Sequence, residues 1–89
     1  MASLFPENGA RMVFERLEGA PVRYRLSVYE PGGALHEGIA DLDGALGDWT
    51  SEPPEWVLGF SKRLVLGLAK KHREDGAYPR KLTRWREDS

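Results

Sequence analysis

Apolar and polar side chains alternate most regularly between residues 22 and 30. Val22, Tyr24, Leu26 and Val28 fall on one side, and Arg23, Arg25, Ser27 and Tyr29 on the other. A period of two is what a strand with one dry face and one wet face requires. A second run, residues 10–18, alternates less cleanly: Met12 and Phe14 are set against Arg11, Val13 and Glu15. A third, residues 34–42, changes phase part-way. Leu35 and Ile39 share one face and Ala40 and Leu42 the other, so a bulge at Gly38 is expected between them.

Turn residues separate these runs: Asn8-Gly9, Gly19-Ala20-Pro21, Pro31-Gly32-Gly33 and Asp43-Gly44. Short glycine- and proline-bearing connections between three strands predict an antiparallel meander. Residues 46–50 could add a short fourth strand or a loop with Trp49 folded inward, and the loop is preferred.

The pattern then changes to a helical one. Over residues 54–75, Pro54 suits the first helical position and Glu55 the positive helix end. Lys70, Lys71, His72 and Arg73 suit the negative end, and Gly76 the left-handed cap. At 100° per residue the apolar side chains from Trp56 to Ala69 sweep about 220°, wider than one face of three strands should cover. Leu66 falls outside that arc, among Lys62, Arg63 and Lys70. Candidates to cover the excess are the tail, Leu4-Phe5, or a second protein chain. Gly59 and Gly67 weaken the helix interior and mark places where a neighbour inside the domain could approach.

Residues 77–89 form a basic, aromatic tail. An extended arm or edge strand is preferred there. A short helix, which would align Tyr78, Leu82 and Trp85, is the second option. The expected fold is therefore α+β, a single domain over residues 1–89. A three-stranded antiparallel β-meander (10–18, 22–30, 34–42) packs on one long C-terminal helix (54–75), followed by an extended tail (77–89).

Composition narrows the function classes. The 89 residues lack cysteine, which removes disulfides, thiolate metal ligands and cysteine nucleophiles. Residues 1–9 carry no basic region followed by an apolar run, and no stretch has the apolar length of a membrane span, so a cytoplasmic protein without a membrane partner is expected.

Net charge is −1 but uneven. Residues 1–55 hold 10 acids and 4 bases, and residues 56–89 hold 9 bases and 4 acids. The simplest arrangement would set an acidic sheet against a basic helix within the domain.

No catalytic or cofactor signature emerges. Asp41, Asp43 and Glu52 match three calcium-loop positions, but Ala45 and Leu46 stand where an oxygen ligand and a glycine are needed. A polar turn is the better reading. His36 and His72 lack second ligands at metal spacing. The serines lie in no nucleophile-elbow pattern, and the glycines make no phosphate-cradling run.

A non-catalytic protein without cofactors is expected, contacting another protein or a copy of itself, with Leu66 as the candidate contact. The alternative is a nucleic-acid-binding domain. Lys70, Lys71, Arg73, Arg80, Lys81, Arg84 and Arg86 would neutralise phosphates, and Trp85 would stack on bases. Against it stand a pI near 6.1 and the acids Glu74, Asp75, Glu87 and Asp88 interrupting the basic run.

Overall fold

Residues 8–19, 21–74 and 76–86 are described by a computed structural model. The strands β1 (Ala10–Arg16), β2 (Arg23–Tyr29), β3 (Leu35–Asp41) and β4 (Leu46–Gly47) are followed by the helix α1 (Glu55–His72) and a last strand, β5 (Lys81–Arg86). They make one antiparallel sheet in the order β4-β3-β2-β1-β5, with α1 on one face. The helix leaves from the β4 edge and delivers the chain to the opposite edge. Its 18 residues reach about 27 Å. Four strand spacings amount to about 19 Å, so the helix is long enough for that crossing.

The three expected strands form, slightly shorter than their patterns, and pair as a meander through β1·β2 and β2·β3. One element corrects the expectation: Leu46–Gly47, read as loop, adds a short fourth strand on β3. The tail takes the edge-strand form preferred for it, a fifth strand paired from Ala10↔Arg86 to Glu15↔Lys81. The sheet is thus wider than three strands, which answers the helix arc. On one flank Leu82 packs against the core beside Phe60 and Leu64, and on the other Leu46 and Trp49 do so. Leu4-Phe5, the other intramolecular candidate, lies outside the described residues, as do Asp75, Glu87 and Asp88.

The core follows the pleat. Ala10, Met12 and Phe14 of β1, Tyr24, Leu26 and Val28 of β2 and Ala40 of β3 are buried against Val57, Val65, Leu68 and Ala69 of α1. Tyr24 meets Phe14 edge-on, with centroids 6.3 Å apart. The expected bulge at Gly38 is absent: β2 and β3 pair without interruption from Arg23↔Asp41 to Tyr29↔Leu35. Leu35 and Ile39 therefore stay on the open face, while Ala40 is buried and Leu42, just past the strand end, packs against the core.

Helix α1 starts one residue later than the expected 54–75 and ends three residues earlier, at His72. Pro54, with ψ 153°, stands before the first helical residue, and its carbonyl accepts the N–H groups of Val57 and Leu58. At the other end Gly76, at φ 67°, donates its N–H to His72 O (2.9 Å). A positive φ is what glycine tolerates best, so it closes the last turn as its position predicts. The link to β5 is then held by two bonds from the sheet, Arg16 Nη1 to Tyr78 O and Tyr24 Oη to Pro79 O, each 2.6 Å.

Candidate interaction groove between helix and edge strand

The phase of β5 decides where its side chains go. Arg16 N–H donates to Arg80 O (2.8 Å), and the β1·β5 register places these two residues opposite each other. Hydrogen-bonded pairs alternate along an antiparallel ladder, so Leu82, Arg84 and Arg86 exchange bonds with β1. Lys81, Thr83 and Trp85 turn their backbone groups outward, to an edge that no described strand covers. Side chains alternate in the same rhythm. Leu82, Arg84 and Arg86 stand on the helix side, opposite the buried Phe14, Met12 and Ala10, while Lys81, Thr83 and Trp85 stand on the open face.

Between this edge and the helix lies a groove of about 400 Å³. Its apolar wall is Leu64, Leu68, Leu82 and Pro79; Arg63, Lys71 and Arg84 give it positive charge, and among the described residues no carboxylate lines it. Gly67 also lines the groove, and a β-carbon there would meet nothing within 4 Å. The expectation that a neighbour inside the domain packs on Gly67 or Gly59 is therefore corrected, since both face open space. Beyond the groove, the Arg86 guanidinium sits 4.7 Å from the Phe60 ring centroid, a cation–π contact.

The structure divides the basic candidates into three groups. Lys71 and Arg84 meet in the groove, with Arg86 on the same flank over Phe60. Lys81 and Trp85 lie on the open sheet face, where Trp85 is 50% exposed and its Nε1 donates to Asn8 O (3.2 Å). Lys70 and Arg73 project into solvent at the helix end, and Arg80 lines a separate cavity with Arg16 and Glu18. Arg63, at the heart of the groove, was missed in the sequence. Its signal was present: Arg63, Gly67 and Lys71 are four residues apart and so share one helix flank.

Leu66 stands on the opposite flank. It is 40% exposed and lies close to Gly44 in the β3–β4 turn. Glu52, Glu55 and Lys62 line the hollow on that side. The uneven charge along the chain thus persists in space, as a basic flank at β5 and a mainly acidic one at β4. The expected pairing of acidic sheet with basic helix finds no support in the Arg23–Asp41 ion pair (3.0 Å) or the His36–Glu30 contact (2.6 Å), both of which lie outside α1.

Comparison with family models, curated proteins and solved structures found no match. The remaining candidates have local roles. Asp43 Oδ1 accepts the Ala45 N–H (2.9 Å), the bond of a polar turn, and Asp41 is held by Arg23. His36 bridges Glu30 and Ser51, with Nε2 to Glu30 Oε1 at 2.6 Å and Nδ1 to Ser51 Oγ at 2.8 Å, which ties the segment before α1 to the sheet. No group of three or more metal-ligating side chains comes together among the described residues. No described helix is long and apolar enough to cross a membrane.

Proposed function

We propose that the chain is a small non-catalytic protein-interaction module whose working surface is the groove between α1 and β5. The carrying observation is the combination of an apolar wall, three converging cations and an adjoining open sheet edge. Each part suits a polypeptide ligand: apolar wall for a side chain, charge for orientation, edge for main chain. Leu66, on the other flank, is outside this surface.

The test is selection from a displayed library of random twelve-residue peptides, with Gly67→Leu as counter-target. Leucine at this open position fills the groove and favours helix, so the variant should fold, as circular dichroism would check. Ligands that bind the native chain and not Gly67→Leu are expected. A library yielding none would remove the reading. A parallel arm titrates labelled single-stranded DNA and RNA against salt. Binding that weakens with salt and is lost on replacing Arg63, Lys71 and Arg84 would favour a nucleic-acid ligand instead.

A further inference from the structure

We infer that the ligand of this groove is an acidic segment in extended conformation, which adds to the sheet as a strand along the outer edge of β5. The inference rests on the protein-binding reading and names the chemistry of the partner.

Three observations lead to it. The first is the backbone phase: Lys81, Thr83 and Trp85 direct their N–H and C=O groups away from β1, the spacing an added strand would pair with. The second is the charge of the groove beside that edge. An added strand would project alternate side chains toward Arg63, Lys71 and Arg84 and the apolar patch of Leu64, Leu68 and Leu82. Carboxylates flanking one apolar side chain complement that surface.

The third is a contact on the edge itself. Arg84 Nη1 donates to Thr83 O (2.8 Å), a carbonyl that points outward by the same phase. The guanidinium caps an edge that no described strand covers, in keeping with the use of charge to protect edge strands from unwanted pairing. An arriving strand would take over the carbonyl with its own N–H and offer Arg84 a carboxylate in exchange, a stronger charge-assisted bond.

A second copy of this chain is a poor occupant. Two β5 strands meeting antiparallel would gather Lys81, Arg84 and Arg86 of both chains at one seam, and like charges across a strand pair are destabilising.

The probe is a capped seven-residue peptide reading threonine, aspartate, threonine, leucine, threonine, aspartate, threonine. Its aspartates and leucine share one face in extended form. Binding is expected, with slowed hydrogen exchange at the amides of Lys81, Thr83 and Trp85. A version with lysine for aspartate should bind at least about tenfold more weakly, and Arg84→Gln should weaken the acidic peptide by about tenfold. Two analogues, N-methylated on alternate residue sets, separate strand addition from charge attraction. Only the set whose amides face β5 should lose binding.

Equal binding of both analogues, with no change in exchange at the β5 amides, would overturn strand addition. If Gly67→Leu still abolished binding in that case, the groove would stand as a protein site. Equal affinity for aspartate and lysine peptides would overturn the acidic assignment. Failure of the acidic peptide to bind, while oligonucleotides bind in an Arg84-dependent way, would overturn the inference as a whole.

Discussion

The indole of Trp49 occupies the space that a β-carbon on Gly38 would need. A β-carbon built there would lie 2.6 Å from Trp49 Cε3 and 2.9 Å from the Gly47 carbonyl oxygen. The glycine is therefore a seat for the ring, and it lets the β4 segment fold back over β3.

Gly38→Ala should destabilise the domain by about 1–3 kcal/mol, the usual range for overpacking a close-fitted site. Chemical denaturation would measure it. The loss should shrink when Trp49 is also replaced by leucine, leaving the part due to the Gly47 carbonyl. Equal losses in both backgrounds would show that Trp49 is not what the glycine accommodates.

Ser61 is fully buried in the centre of the helix face, and its Oγ has no hydrogen-bond partner among the described residues. Burying an unpaired hydroxyl costs free energy, and alanine is the better helix former. Ser61→Ala should raise stability by about 1 kcal/mol, read as a higher denaturation midpoint at unchanged slope. A destabilised variant would mean that the hydroxyl has a partner in solution.

Tyr24 is buried and donates its hydroxyl to Pro79 O. Tyr24→Phe keeps the ring and strands that carbonyl, so a loss of about 1–2 kcal/mol is expected near neutral pH. Burial raises the phenol above its ordinary 10.0, outweighing the lowering by Arg16, and Tyr78 adds to the rise. A raised folded value means that the protonated form is favoured by folding. The contribution is fully present below pH 10 and is lost as pH rises towards the folded value. The native chain should therefore lose stability more steeply than Tyr24→Phe as pH rises above 10, and parallel curves would refute this.

The strands whose two faces differ in chemistry were legible from the sequence. Tyr24, Leu26 and Val28 are buried on one side as their alternation predicts, and Gly76 takes the positive φ expected of it, although α1 ends at His72 rather than at residue 75. The edges were only partly legible, the edge-strand form of the tail being one preferred reading and its pairing with β1 not foreseen, for a physical reason. Leu46–Gly47 is too short to show a period, and β5 places arginines on its inner face where a core strand would place apolar residues. Arg86 lies there because its charge rests over Phe60 and Arg84 because it reaches the strand edge, so neither needs an apolar side chain. The groove was hidden because its two walls, Arg63–Lys71 and Leu82–Arg84, come together only once β5 has paired with β1.

Leu66 gives the sharpest separation between the two flanks. A single half-exposed leucine is ordinary on a protein surface, and this one rests against the Gly44 turn rather than within an apolar patch. Leu66→Asp should cost at most about 1 kcal/mol, through lost contact with that turn and reduced helix propensity. It should leave binding at the α1–β5 groove unchanged, whereas Leu64→Asp, inside the groove, should weaken it. Sedimentation of the native and Leu66→Asp proteins at matched concentration should give the same mass. A shift to lower mass in the variant would restore Leu66 as a contact between chains and move the interaction surface to the acidic flank.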